Sequence, residues 1–270
     1  TYQDKIAICG DYDADGMTST ALLLRCLRWL GAEVDYAIPS RMHEGYGINN
    51  RIVEEFAQEG VKLIITVDNG ISAFESVTRA KELGLKVIVT DHHDLPEELP
   101  PANAILNPKL ISKSSPYYGI AGVGVAYILA VSLTQKMGDD YKSLLEPMLE
   151  LFTLGTIADL APLTGVNRRW VKRGLQGLPK SKLPGVQALI QLTGVTNHVN
   201  NKIGEQGRIK AENNYLSLKP DDIGFRLGPR INAIGRISDP QIVIDLLTTD
   251  DTRIALEKAL QCDNTNRQRQ

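Results

Sequence analysis

Asp11, Asp13 and Asp15 stand at alternate positions in DYDAD, and Gly16 closes the run. Three carboxylates so close together repel one another unless a cation or a set of hydrogen-bond donors sits among them. A D-x-D-x-D-G run opens an EF-hand calcium loop, but that loop needs a bidentate Glu at its twelfth position. Counted from Asp11, the twelfth residue is Leu22. An EF-hand also needs a preceding helix, whereas KIAIC (5–9) reads as a short buried strand. Acids recur at two other places, Asp68 closing VKLIITVD (61–68) and the run Asp91-His92-His93-Asp94. Several carboxylates with one or two imidazoles suit Mn²⁺ or Mg²⁺ better than a thiolate-loving metal.

Apolar runs alternate with amphipathic stretches. KIAIC (5–9) precedes a helical 17–30, EVDYAIP (33–39) precedes 49–59, VKLIITVD (61–68) precedes 72–83, and LKVIVTD (85–91) precedes AILNP (104–108). Continuous apolar strands separated by helices predict an α/β fold, a mostly parallel sheet with helices on both faces. Helical spacing then dominates over 124–137, 141–161, 167–178, 185–194, 239–247 and 251–270. The polar segment 195–222 reads as an extended loop. The expected organisation is a core over 1–250, with the sheet in 1–120 and a mainly helical part in 121–250. Residues 251–270 carry no apolar stripe after Cys262 and read as the start of a helix projecting away toward a second domain, and the chain as a fragment of a longer protein.

Ligands of such sheets bind beyond the carboxyl ends of the strands. Three strand ends deliver Asp11–Asp15, Asp68 and Asp91–Asp94 to one rim. Each has a plainer reading, because Asp after a strand is a common cap or turn residue and Asp68-Asn69-Gly70 is a plausible turn. In extended backbone Asp13 and Asp15 would point the same way, and an Asp from another strand could bridge two ions. Two metals about 3.5–4 Å apart stabilise both the attacking and the leaving oxygen of phosphoryl transfer. Asp11 either ligates or holds backbone amides.

With 43% hydrophobic and 23% charged residues, the composition is that of an ordinary globular protein, and the net charge of −2 argues neither for nor against nucleic acid. Cys9, Cys26 and Cys262 lie far apart with no disulfide or zinc spacing, which fits a reducing cytoplasm. No apolar run is long enough to span a membrane.

GDYDADG, the Asp68 strand end and DHH at 91–93 resemble, in this order, the DHH phosphoesterase family. The resemblance is nearest to its RecJ branch of single-strand-specific 5′→3′ exonucleases. IPSRMHEGYG (38–47), GIAGVGVAY (119–127), LGTIADLAPL (154–163) and FRLGPRINAIGR (225–236) extend it over nearly the whole chain. The resemblance implies metal ligation by Asp13, Asp15, Asp68, His92 and Asp159, with Asp68 bridging two Mn²⁺ or Mg²⁺ ions. It implies that His93 meets the scissile phosphate, and that Asp91 and Asp11 orient the ligands. Without the family, Asp159 reads as a helix-end residue. Other DHH branches carry a His four positions before the first ligand Asp, and Cys9 stands there.

The implied activity is metal-dependent hydrolysis of single-stranded DNA from its 5′ end, as in DNA repair and recombination. A helicase or single-strand-binding protein is the implied partner of the full-length protein. Arg230, Asn232 and Arg236, two guanidiniums flanking a turn, are assigned to DNA or terminal phosphate, with Arg41 and Tyr46 beside EGYG as weaker candidates. Surface salt bridging is the plainer reading of the arginines. GVGVAY lacks a third glycine and a preceding strand, and so reads as helix packing or close approach to substrate rather than a dinucleotide site. NRRWVKR (167–173) reads as a solvated basic face with Trp170 in the core. The alternatives are a DHH phosphatase or oligoribonuclease acting on short oligonucleotides or small phosphates, and a non-catalytic DHH replication scaffold.

Overall fold

The computed structural model describes residues 4–40, 45–138, 142–194 and 218–269. β1 (Ile6–Cys9), β2 (Val34–Ala37), β3 (Leu63–Val67), β4 (Lys86–Thr90) and β5 (Ala104–Leu106) form one sheet in the order β2-β1-β3-β4-β5. Every pairing is parallel, with Ile8 beside both Tyr36 and Ile65. The chain leaves β1 toward β2 on one side, then crosses back to lay β3 on the other. Between β1 and β3 the connections diverge, which is where open α/β sheets leave a ligand crevice.

Alternation along the strands divides the interior. Ala7, Cys9, Ile64, Val87 and Val89 face α2 (Asn50–Gln58) and α3 (Phe74–Glu82). Ile8, Ile65 and Val67 belong to the larger core on the opposite face, with α1 (Ala14–Trp29), α4 (Gly122–Met137) and α5 (Lys142–Ala158). Every residue of α1 from Ala14 to Leu24 is buried. A helix buried all round must satisfy its own polar groups. Thr18, Ser19 and Thr20 do so by donating to the carbonyls of Ala14, Asp15 and Gly16 at 2.7, 2.7 and 2.8 Å.

The helical part continues with α6 (Gly165–Gly177), α7 (Pro184–Thr193), α8 (Pro220–Asp222), α9 (Gly228–Ile237), α10 (Gln241–Thr248) and α11 (Thr252–Arg269). Three expectations need correction. The stretch expected as loop over 195–222 lies outside the described residues up to 217, but Leu218 is buried and Pro220 starts a helix. PRINAIGR is helix rather than turn, because Ile223–Leu227 forms a π-helical segment in which the Gly228 N–H reaches back to the Ile223 carbonyl. That wider turn accommodates Pro229, which has no N–H to donate and would crowd a regular α-turn. Finally, α11 stays packed beyond Cys262, since Asp263 and Asn266 are buried and carry its inner stripe with polar residues. Asp263 accepts from Arg230 Nε and pairs with Arg267, each at 2.8 Å.

Candidate metal centre

The loop after β1 turns straight into α1. Asp13 is the N-cap, its Oδ1 accepting from the Gly16 N–H at 2.9 Å. Asp15 therefore sits in the first helical turn, and the two acids do not share an extended strand as expected. Both still line one cavity of about 270 Å³, with Tyr12, Asp159, Asn232 and Arg236. Asp15 is buried, and its two oxygens accept from the amides of Gly122 and Val123 at 2.7 and 2.8 Å. Those amides open α4, where unpaired N–H groups and the helix dipole favour an anion. Glycine is needed at 122, since a Cβ there would lie 2.6 Å from Asp68 Oδ1.

Asp68 leaves β3 with φ +61, a left-handed conformation that Asp tolerates better than most residues. Asn69 beside it is fully buried and donates to the carbonyls of Cys9 and Val67 at 3.0 and 2.9 Å, tying the ends of β1 and β3 together. Gly70 follows at φ +104. From the end of β4, His92 Nε2 comes within 3.0 Å of Asp68 Oδ1 and 3.7 Å of Asp15 Oδ2. Asp91 takes no part in that contact. Its Oδ1 accepts from His93 Nδ1 and from the amides of His92 and His93, and its Oδ2 accepts from the Ile71 amide. Tyr46 donates its hydroxyl to the Asp68 carbonyl at 2.5 Å and lies 3.2 Å from His93 Nδ1. The sequence offers Tyr46 only as a weaker phosphate contact beside Arg41, and gives Asn69 no part in the site. EGYG and the Asp-Asn-Gly turn were their only signals.

The helical part adds Asp159 just after α5, its N–H bonded to the Gly155 carbonyl at 2.8 Å. It also adds Asn232 from α9, whose Oδ1 accepts from the Ala14 amide at 2.7 Å and so fixes the start of α1. Gly235 permits this approach, because a Cβ there would fall 1.6 Å from the Tyr12 carbonyl.

These acids are held where charge is costly. Burial, then Asp13, pushes Asp11 up to about 7, and burial with Asp13 pushes Asp159 up to about 6. Burial raises Asp15 and Asp68 well above the ordinary carboxylate range, with Asp159 and Asp15 respectively adding repulsion. Burial and the neighbouring His93 lower His92 to about 4, which keeps its imidazole neutral and able to ligate. Asp91 behaves oppositely. Burial would raise it, but the His93 ring and the amides of Ile71 and His93 together lower it, and in return the Asp91 bond raises His93.

Donor atoms of three sets, Asp68/His92/His93, Asp15/His92/Asp159 and Asp11/Asp13/Asp68, each lie within 4.8 Å of one another. Asp11 Oδ1 is buried without a hydrogen-bond partner, and Asp68 Oδ1 is buried with no hydrogen bond and only the His92 ring nitrogen beside it. Buried carboxylate oxygens left unpaired in a cluster of like charge fit a bound divalent cation, and the shared Asp68 and His92 place two such positions side by side.

Other assigned residues fall differently. Arg236 is exposed at the cavity, but Arg230 gives its guanidinium to Asp263 and to the Arg226 carbonyl. The two are six residues apart on one helix, roughly 240° around it, so they cannot clamp one phosphate. Arg41 lies outside the described residues. Trp170 packs edge-on to Tyr127 and Phe152, and Cys9 is buried in the core under α2 and α3.

A parallel sheet whose switch point gathers four carboxylates and a neutral imidazole defines a metal-binding α/β protein. Residues 5–156 match the family described as DHH family, N-terminal domain, and the chain belongs to that family. Within it, the chain is 41% identical over 268 residues to the single-stranded-DNA-specific exonuclease RecJ of Bacillus subtilis (strain 168), covering 99% of this chain and 31% of that protein. It is 39% identical over 275 residues to RecJ of Haemophilus influenzae, covering 99% of this chain and 45% of that one. A crystal structure of exonuclease RecJ bound to manganese superposes with a TM-score of 0.82 at 35% identity, over 98% of this chain and 62% of that one. The chain thus spans a third to a half of the length of these curated relatives.

Proposed function

We propose that this chain is the hydrolytic core of a metal-dependent exonuclease that degrades single-stranded DNA from its 5′ end. The observation that carries this reading is the meeting of Asp13, Asp15, Asp68, His92 and Asp159, drawn from four separate segments, around buried carboxylate oxygens that accept no hydrogen bond. Asp13, Asp15, Asp68, His92 and Asp159 would hold two Mn²⁺ or Mg²⁺ ions. Such ions supply a water nucleophile at neutral pH and charge neutralisation at the leaving 3′ oxygen.

The chain's own groups do the positioning. The α4 amides hold both Asp15 oxygens, so that acid cannot rotate away from the site. Asp91 fixes the His93 ring and favours its protonated form, which leaves Nε2 as a donor to a phosphate oxygen. Tyr46 braces both Asp68 and His93. Arg236 and Asn232 offer charge and an amide at the cavity mouth. The proposed organisation is a core over 1–250, with 251–270 leading toward a second domain.

The test is digestion of a 5′-phosphorylated single strand in Mn²⁺, set beside a dinucleotide and an inorganic phosphate ester. Stepwise release of mononucleotides from the strand supports the reading. Cleavage of the dinucleotide alone would replace it with the oligoribonuclease or phosphatase alternative, and no hydrolysis with Mn²⁺ bound would favour a scaffold. Among the described residues no helix is long and apolar enough to cross a membrane. The same reading places the protein in the cytoplasm, with a helicase or single-strand-binding protein as partner of the full-length form.

A further inference from the structure

Among the described residues, the two most exposed large apolar side chains are Leu160, 85% exposed, and Phe225, 80% exposed; the next, Ile237, is 51% exposed. Leu160 and Phe225 stand on two segments that pack against each other. Leu160 directly follows Asp159, at the C-terminal end of α5. Phe225 stands on the π-helical segment that packs there, since a Cβ on Gly224 would touch Ile157 Cγ2 at 3.8 Å and one on Gly228 would touch Ala158 Cβ at 3.2 Å. Ala158 and Asp159 line the candidate cavity together with Arg236.

The backbone under each residue is unusual. Leu160 has φ +60, the left-handed region that Cβ crowding disfavours, and its side chain gains no burial in compensation. Phe225 sits in a π-helical turn, a rare element found disproportionately at functional sites. A helix end capped by glycine would avoid the first strain, and a polar residue at 225 would avoid exposing a ring. Two apolar groups presented to solvent on segments that adjoin a polar cavity lined by Asp159 and Arg236 have the chemistry of a single-strand site: an apolar face for a base, a guanidinium for a phosphate.

We infer that Phe225 and Leu160 form a base-stacking platform that holds an unpaired base of the strand whose phosphate enters the Asp159 cavity, making both residues positioning residues for the substrate. This inference rests on the single-strand exonuclease reading. It applies to any base, because stacking reads the π-face rather than the Watson–Crick edge.

The test is fluorescence anisotropy of this chain with a 5′-phosphorylated single strand in Ca²⁺, set beside a strand whose first four nucleotides are abasic. F225A is expected to weaken binding on the order of tenfold, with F225W restoring it and the melting temperature unchanged. On the abasic strand, wild type and F225A should bind alike. L160G should also weaken binding while melting at or above wild type, because glycine relieves the left-handed strain. A merely structural leucine would not lose affinity and gain stability together. Equal binding of the normal strand by wild type and F225A would overturn the platform, as would an F225A loss that persists on the abasic strand. A fall of several degrees in melting temperature for F225A would overturn it too, by showing that the ring is covered by the protein. If wild type neither binds nor digests single strands, the exonuclease reading itself fails, and the platform with it.

Discussion

Two regions of this molecule bury carboxylates, and they solve the same problem in opposite ways. At the rim of the sheet, Asp11, Asp15 and Asp68 lie within a site whose other members, Asp13 and Asp159, are also acids. In the helical part, Glu150 is equally buried and, among the described residues, accepts from one partner, the Ser181 hydroxyl, which in turn accepts from the Leu183 amide. Burial pushes Glu150 up to about 7, so near neutrality its proton can stand in for a counter-charge. One proton cannot do that for five acids and leave them useful as ligands. The rim is built to be completed by cations, whereas the helical core is complete as it folds.

The largest expected effect breaks the rim. Asp68→Asn keeps the side-chain shape and the tolerance for left-handed backbone, but removes a charge that the proposed ions need. Mn²⁺-dependent digestion should fall by at least about a thousandfold, as for members of a group that acts as a unit. The metal-free variant should melt at or above wild type at pH 8, because a repelling buried charge is gone, and the stabilisation by added Mn²⁺ should shrink. A metal-free variant that melts well below wild type would mean that Asp68 is held by the protein alone, and the contrast with Glu150 would disappear.

Gly235→Ala attacks the seam where the two regions meet. Its Cβ would meet a backbone carbonyl at Tyr12 rather than a yielding side chain, so α9 or the Asp11–Asp15 loop must shift. A cost of about 3 kcal/mol in denaturant unfolding, the upper range for overpacking, should accompany a loss of digestion. Arg236→Ala should then weaken strand binding on the order of tenfold with little change in stability. Arg230→Ala should do the reverse, lowering stability through the buried Asp263 it leaves with one partner fewer.

That seam also marks where sequence reading stopped. Asp13, Asp68 and His92 were legible because a parallel sheet sends its loops to one rim, and a strand's end can be read from its own few residues. Asp159 became a candidate only through the family resemblance. The partners of Asp15 and Ala14 lie more than a hundred residues away, at Gly122 and Asn232, and no local pattern encodes that approach. Arg230 of PRINAIGR is turned away from Arg236 for the same reason. A Gly-Pro pair reads locally as a break, and only the π-helical turn, formed against α5, lets the helix run through it. Glu150 gave no signal at all, since one acid in an amphipathic stretch reads as solvent-facing.

The smallest expected effect tests the other half of the contrast. Glu150 is raised from an ordinary value of 4.5 to about 7 in the folded protein, so folding favours its protonated form. Its contribution to stability is present below the ordinary value and is lost as pH rises through about 7. The rim acids Asp11 and Asp159, also raised, act in the same direction when no metal is bound, while His92, lowered, opposes them only below its ordinary titration range. Saturating Mn²⁺ should hold the rim carboxylates ionised and remove their share of the slope. What remains between about pH 5 and 8 belongs to Glu150, on the order of 2 kcal/mol, and to His93, whose bond to Asp91 raises it and which acts in the same direction. Glu150→Gln keeps an acceptor for the Ser181 hydroxyl and has no proton to lose, so in Mn²⁺ its stability should fall less steeply over that range than the wild type's, leaving the His93 share. If the metal-loaded wild type is already flat, Glu150 is not the neutral acid of the helical core, and the two regions differ less than their geometry indicates.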